Sequence, residues 1–313
     1  MGRGSYNSAD WSKLMTSKGI SQTSTADNIF GKNTVKEKYL PKFINMRESR
    51  DSEDSPESTP IIIGFDSTGS MGYLAAEIAK NSLNKTATMI LDKRPVTDPH
   101  IMCAAFTSPP PHWSYGIAEL QITQFEADIR VVEQLLDFKL GGGNRYSYDS
   151  LVWYFALKHT STDCFEKRHK KGFIFCIGDE IGPDSADEII LKAKEIENIY
   201  NDKDEKDYST KELIEEVGKK YELFHIITGD RVDNALKTWE KLMPGRTVVV
   251  RSENIQYLAE VMISLMQLVG GMDRDDVLKQ WDGEARRIVE SALPAVSVTK
   301  KMPGIGSLFG WRT

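Results

Sequence analysis

The sequence predicts an α/β protein with a three-layer, doubly wound, mostly parallel sheet and helices on both faces. Short apolar runs rich in β-branched and aromatic residues recur along the chain. Segments with apolar residues at helical spacing separate these runs. A chain that alternates in this way forms a parallel sheet covered on both sides. The predicted strands begin at Ile61 and then cover 100–106, 172–178, 221–228 and 247–250, with an antiparallel edge strand at 119–123.

Composition narrows the class of protein. The chain has 313 residues and a formal net charge of −6, so it has no overall basic footprint for nucleic acid. No apolar run is long enough to span a membrane, and the first residues lack an apolar signal core. The three cysteines do not suggest disulfides. We therefore expect a cytoplasmic protein with no membrane or nucleic-acid partner.

Four regions are expected along the chain. A polar arm or linker covers 1–58, and its last part, 47–58, is a run of charged and serine residues. The α/β domain covers 59–271, a C-terminal helix covers 272–295, and a flexible glycine-rich tail covers 296–313. The helices predicted by apolar spacing lie at 71–91, 125–138, 149–157, 184–200, 209–219, 232–242, 254–269 and 273–293.

The first strand leads into a loop that is rich in oxygen atoms. Asp66, Ser67, Thr68 and Ser70 follow the run of three isoleucines and precede a helix. If the extended geometry continues past the strand, Asp66, Thr68 and Ser70 point the same way. Carboxylate and hydroxyl oxygens are the ligands that Mg²⁺, Mn²⁺ and Ca²⁺ prefer. Open α/β sheets bind ligands at this end of their strands, so the loop is a candidate metal site.

The same loop does not fit better-known phosphate motifs. Gly64 to Gly69 matches the start of a P-loop, but Ser70 and Met71 stand where the motif needs its lysine. Haloacid-dehalogenase phosphatases need a second aspartate two residues after the first, and Thr68 occupies that position. The loop also lacks a G-x-S-x-G nucleophile elbow.

The run Asp66-Ser67-Thr68-Gly69-Ser70 resembles the first motif, D-x-S-x-S, of the metal-ion-dependent adhesion site (MIDAS) of von Willebrand factor A (vWA) domains. The glycine turn before Asn144 resembles the second motif, but it lacks the usual threonine. Asn144 or Ser147, or a water, must then supply that oxygen. Asp179, directly after the strand at 172–178, resembles the third motif.

Asp149 is a further candidate ligand near the second motif. It lies at the start of the predicted helix, so the alternative is an acid that interacts favourably with the helix dipole.

The resemblance covers 59–271 and implies a metal-dependent interaction module of the intracellular bacterial or phage type. Such a site holds Mg²⁺, or else Mn²⁺ or Ca²⁺, and leaves one position open for an acidic side chain of a protein partner. Bacterial relatives of this kind often work beside MoxR-type AAA+ ATPases, so an AAA+ ATPase is an expected partner. The implied metal ligands are Asp66, Thr68, Ser70, Asn144, Ser147 and Asp179.

Two alternatives remain open. A metal-dependent hydrolase of phosphate esters could use Asp66 and Asp179 around Mg²⁺. The sequence shows no nucleophile beside an activating base, and the five histidines lie outside the three motifs, so we expect no enzyme. Because the usual threonine is missing, a structural protein with a degenerate site is the other alternative.

Overall fold

The computed structural model describes residues 8–21, 24, 29–30, 33–68, 83–107, 117–141, 147–203, 206–229 and 232–293. The strands among these residues are β1 (Arg47–Ser49), β2 (Thr59–Asp66), β3 (Pro99–Phe106), β4 (Leu120–Ile122), β5 (Thr160–Thr162), β6 (Gly172–Gly178), β7 (Ile189–Leu191), β8 (Tyr208–Ser209), β9 (Tyr221–Ile227) and β10 (Thr247–Val249). The α-helices are α1 (Ser8–Ser17), α2 (Leu83–Lys93), α3 (Arg130–Leu135), α4 (Asp149–Lys158), α5 (Asp163–Glu166), α6 (Ala193–Tyr200), α7 (Thr210–Val217), α8 (Val232–Leu242), α9 (Leu258–Val269), α10 (Arg274–Leu278) and α11 (Gly283–Ala292).

Within the described residues, a six-stranded sheet forms the middle layer, in the order β10-β9-β6-β2-β3-β4. The pairs from β10 to β3 are parallel, and β4 runs antiparallel to β3 at the edge. After β2 the chain builds the sheet outward through β3 and β4, and then continues from β6 in the other direction. The predicted doubly wound, mostly parallel sheet is confirmed, including its antiparallel edge strand.

Helices cover both faces of the sheet. Ile61, Ile63 and Phe65 face one side, where α2, α3, α9, α10 and α11 pack. Ile62 faces the other side, where α4, α6, α7 and α8 pack. All three isoleucines are fully buried, and each contributes about 1.5–3 kcal/mol by leaving water. A Cβ at Gly64 would lie 3.1 Å from a methyl carbon of Val152, so glycine allows α4 to approach β2 closely.

Three predicted helices are wrong in extent, and the segment 125–138 is helical only at Arg130–Leu135. The segment 184–200 is helical only from Ala193, because the β-branched pair Ile189 and Ile190 lies in β7, which pairs with β8. The backbone N–H of Lys192 donates to Glu195 Oε2 at 2.8 Å and marks the true helix start. The segment 273–293 forms two helices, since the chain turns before Gly283, whose φ is +52°.

Other predicted elements fall partly outside the described residues. The helix predicted at 71–91 is described only from Leu83, as α2. The glycine-rich tail at 296–313 lies outside the described residues. Among the described helices, none combines the length and the apolar character needed to cross a lipid bilayer.

Candidate metal centre at the carboxyl edge of the sheet

The two predicted acidic ligands, Asp66 and Asp179, flank the point where the strand order reverses. Asp66 is the last residue of β2, and Asp179 comes directly after β6. The two strands are neighbours, with Phe65 opposite Ile177. Connections from these strands run to opposite sides of the sheet, which opens a crevice at their carboxyl ends. Ligands of doubly wound proteins bind in this crevice, so the fold places both acids where a ligand site is expected.

Asp66 is a fully buried carboxylate at the end of β2. Its Oδ1 accepts the backbone N–H of Thr68 at 2.8 Å, so the chain turns at this point. The extended geometry therefore ends at Asp66, and the turn, rather than strand alternation, brings Thr68 near the carboxylate. Thr68 is also buried. Buried charges in proteins are paired or coordinate metals, so this carboxylate is a candidate metal ligand.

Ser67 has a different task from its neighbours. Its backbone N–H donates to the carbonyl of Phe106 at 2.9 Å. Its hydroxyl lies 3.2 Å from the same oxygen and 3.3 Å from the carbonyl of Gly141. Ser67 therefore ties the end of β2 to the end of β3 and to the loop that leads toward the second motif.

Ser147 and Asp66 both lie close to Gly178. A Cβ built on Gly178 would lie 3.5 Å from Asp66 Cβ and 3.5 Å from Ser147 Oγ. The backbone N–H of Ser147 donates to the carbonyl of Ile181 at 3.1 Å, which ties its loop to the loop after β6. Two of the residues predicted as oxygen donors therefore approach the same point beside Gly178, where glycine has no side chain.

Asp179 lies one residue further along, against the loop that follows β9. Gly229 has φ +88°, and a Cβ there would lie only 2.7 Å from Asp179 Cβ. Thr228, also in this loop, donates its backbone N–H to the carbonyl of Gly178 at 2.9 Å. The buried hydroxyl of Thr228 has no hydrogen-bond partner in the described parts of the chain. The sequence did not predict the Thr228 hydroxyl as a candidate ligand.

Helix α8 holds the backbone that carries Asp179. The indole N–H of Trp239 donates to the carbonyl of Glu180 at 3.1 Å. The backbone N–H of Gly182 donates to the hydroxyl of Thr238 at 2.9 Å. Because α8 is packed in the core, these bonds fix the loop from Asp179 to Gly182.

A buried, hydrogen-bonded chain of three polar side chains begins at Ser147 and continues through Asp149 to His225. The hydroxyl of Ser147 donates to Asp149 Oδ1 at 2.5 Å, and His225 Nδ1 lies 2.7 Å from Asp149 Oδ2. All three are at most 1% exposed. Burial, together with the neighbouring Asp149 carboxylate, raises the pKa of the Cys176 thiol well above its usual value. The sequence predicted Asp149 as a candidate ligand but did not predict a role for His225. The one sequence feature that could have indicated it is the position of a histidine within an apolar strand.

This chain of side chains does not have the order of a catalytic triad. In a triad, histidine lies between the serine and the acid and takes the serine proton. Here Asp149 lies between Ser147 and His225, and the serine proton goes to the carboxylate. The arrangement orients the Ser147 hydroxyl toward Asp149 and lacks the histidine base of a triad.

The donor set suits a hard divalent cation. Asp66 and Asp179 would supply carboxylates, and Thr68 and Ser147 would supply hydroxyls, which are the oxygen ligands of Mg²⁺, Mn²⁺ and Ca²⁺. No cluster of three or more His, Cys, Asp and Glu side chains that could hold a metal occurs in the described part of the chain. The two other predicted ligands, Ser70 and Asn144, lie outside the described residues.

No protein-family model matches the chain, and no curated protein matches it. Among solved structures, the pilus adhesin SpaC from Lactobacillus rhamnosus GG, in its open conformation, is similar with a TM-score of 0.45 and 10% identity. The match covers 70% of this chain and 31% of the adhesin. A von Willebrand factor type A protein from Catenulispora acidiphila is similar with a TM-score of 0.37 and 14% identity, over 69% of this chain and 43% of that one. The chain thus spans less than half of either protein, and the likeness concerns chain arrangement alone.

Proposed function

We propose that this chain is a binding module that holds a divalent cation and uses it to bind an acidic side chain of a partner protein. The observation that supports this most directly is that Asp66 and Ser147 approach the same point beside Gly178, where the strand order reverses. Asp179 follows Gly178 directly. In this proposal the cation is Mg²⁺, or else Mn²⁺ or Ca²⁺, and Ser70 and Asn144 complete the ligands.

The chemistry of the donors explains why a partner is needed. Mg²⁺ takes six oxygen ligands and Ca²⁺ takes six to eight, and both keep positions for water or for an incoming group. Asp66 and Asp179 provide two negative charges, and the hydroxyls provide neutral oxygens. A partner carboxylate that replaces a water gains direct attraction to the cation. The interaction therefore depends on the metal and on the partner's acid.

The resemblance of the site motif to intracellular vWA proteins suggests which partner to test first. A AAA+ ATPase with an exposed acidic residue fits the proposal. A module of this kind needs no general base and no nucleophile, and Ser147, Asp149 and His225 do not have the order of a catalytic triad.

Thermal unfolding in EDTA and in Mg²⁺, Mn²⁺ or Ca²⁺ tests the metal site. A cation at about 100 times its dissociation constant stabilises the fold by roughly 2.7 kcal/mol. We expect wild type to show this shift and Asp66→Ala to lose it. Asp54→Ala, which removes an exposed aspartate in a turn, is the control and should keep the shift.

The second step separates a binding module from an enzyme. Peptides that carry Asp or Glu should bind the Mn²⁺-loaded chain, and their Asn or Gln counterparts should not. Metal-dependent hydrolysis of para-nitrophenyl phosphate that disappears in Asp66→Ala would contradict the proposal. Equal unfolding temperatures with and without millimolar metal would instead indicate a scaffold without a metal site.

A further inference from the structure

We propose that Asp149 is a positioning residue for the metal centre, held in place by His225. Asp149 accepts the one proton of the Ser147 hydroxyl and so leaves the oxygen lone pairs free to face the cation. This inference rests on the proposed function, and it goes beyond it by assigning a role to two buried residues that do not touch the metal.

The first step is the direction of the Ser147 proton. A serine hydroxyl has one proton to donate and two lone pairs that accept. The proton is committed to Asp149 Oδ1, at 2.5 Å. A Cβ built on Gly178 would lie 3.5 Å from Ser147 Oγ and 3.5 Å from Asp66 Cβ. Ser147 Oγ thus bonds Asp149 and also lies near the Gly178 side of the site, where Asp66 lies. A hydroxyl binds a cation through a lone pair, so a proton committed to Asp149 leaves both lone pairs available for binding.

The second step is what fixes Asp149. Its other oxygen, Oδ2, lies 2.7 Å from His225 Nδ1. The imidazole of His225 stacks on the indole of Trp239, with ring centroids 3.8 Å apart and planes 15° from parallel. His225 Nε2 is buried and has no hydrogen-bond partner within the described ranges. The ring is therefore oriented by Asp149 on one edge and by Trp239 on its face.

The third step is that the same unit reaches both loops of the site. Trp239, which stacks on His225, also donates to the carbonyl of Glu180, the residue after Asp179. Asp149 holds Ser147, and Ser147 donates its backbone N–H to Ile181. The buried unit therefore sets the position of oxygen donors that come from different loops.

This bonding pattern differs from that of an acid that only caps a helix. Asp149 is the first residue of α4, where an acid can bond the free backbone N–H groups of the first turn. Its two oxygens instead accept from the side chains of Ser147 and His225. Partners that orient a metal ligand in this way typically contribute 10- to 100-fold to metal affinity.

A double-mutant cycle tests this inference. The dissociation constant of Mn²⁺ is measured for wild type, Asp149→Ala, Ser147→Ala and the double variant. We expect Asp149→Ala to weaken Mn²⁺ binding by roughly 10- to 100-fold in the wild-type background. In the Ser147→Ala background, the same change should have almost no further effect, because Asp149 acts through Ser147. Unfolding in EDTA shows that each variant is folded.

The outcomes are distinct. An equal loss of Mn²⁺ affinity in both backgrounds, or no loss in either, would overturn the positioning role. Wild type that fails to bind Mn²⁺ would overturn the proposed function itself, and this is visible without any variant of Asp149. If Asp149→Ala does not fold, the combined change Asp149→Leu and His225→Leu takes its place in the cycle. That pair removes both buried polar groups together, which costs less than leaving one unpaired.

Discussion

At the scale of single residues, the sequence locates candidate ligands that follow from local order and misses side-chain pairs that depend on packing. Asp66 ends a strand and Asp179 directly follows one, so the rule that ligands bind at strand ends is enough to select them as candidates. The pairing of Asp149 with His225 joins residues 76 positions apart on a helix and a strand. It depends on how α4 is rotated against the sheet, and no local pattern records that rotation.

Gly229 offers a test at this scale, because it combines backbone strain with a close contact. We expect Gly229→Ala to lose roughly 1–2 kcal/mol of stability through its positive φ, and to lose more through the clash with Asp179. Displacement of Asp179 should also weaken Mn²⁺ binding. Urea unfolding and Mn²⁺ titration measure the two effects.

Gly271 is a matched control for this variant. Its φ is +94°, close to that of Gly229, but a Cβ there would meet nothing within 4 Å. Gly271→Ala should therefore show the loss from backbone strain and keep the wild-type affinity for Mn²⁺. Unchanged Mn²⁺ binding in Gly229→Ala would show that Asp179 is not a ligand, or that it moves without consequence.

At the scale of elements, the segment 47–58 shows how composition can hide structure. Its charges are typical of a solvated linker, yet it contains β1, which pairs in parallel with β5. The guanidinium of Arg50 contacts Asp163 and Glu166, and Arg168 contacts Asp51 at 2.6 Å. These partners lie more than 100 residues away in the sequence, so a local reading finds charges without their counterparts.

Asp163 is the central acid of this attachment. Its buried carboxylate accepts from Arg50, from Lys167 at 2.7 Å and from the backbone N–H of Asp51 at 2.9 Å. Burial raises the pKa of Asp163, but these bonds outweigh it and lower the pKa to about 2. We expect Asp163→Asn to cost roughly 2 kcal/mol. Amide hydrogen exchange should quicken in β1 before it quickens in the central strands.

An exposed ion pair provides the comparison for this prediction. Glu216 contacts Lys219 at 2.6 Å, but both side chains are about half exposed or more. Glu216→Gln should change the free energy of unfolding by less than about 0.5 kcal/mol, because water screens the pair. Similar small losses in both variants would mean that Asp163 does not hold the segment in place.

At the scale of the whole molecule, the carboxyl ends and the amino ends of the parallel strands have separate roles. The candidate metal centre occupies the carboxyl edge of the parallel strands, where Asp66 and Asp179 lie. The segment 47–58 is attached at the opposite, amino ends of the strands, where β3 begins. There His100 is buried between the hydroxyls of Ser49 and Ser55, at 3.1 and 3.0 Å. Changes at this edge should therefore alter stability and leave the ligand site intact.

His100 predicts how the stability of the whole fold changes with pH. Burial lowers its pKa from 6.5 to about 4, against the opposing effect of the Asp98 and Asp51 carboxylates. Between these values the unfolded chain binds a proton that the folded chain excludes. The contribution of His100 is therefore complete above pH 6.5 and is lost as the pH falls toward 4. From pH 7 to pH 5 the loss is roughly 2 kcal/mol.

The variant His100→Gln isolates this contribution, because an amide can bond both serine hydroxyls and does not titrate. Other groups titrate in both proteins, so their effects cancel in the difference between the two pH profiles. Urea unfolding at several pH values should show that wild type loses about 2 kcal/mol more than His100→Gln between pH 7 and pH 5. His169→Gln, which changes an exposed histidine, should keep the wild-type profile. Parallel profiles for wild type and His100→Gln would show that His100 is protonated equally in the folded and unfolded chains, and that its burial between Ser49 and Ser55 does not exclude the charge.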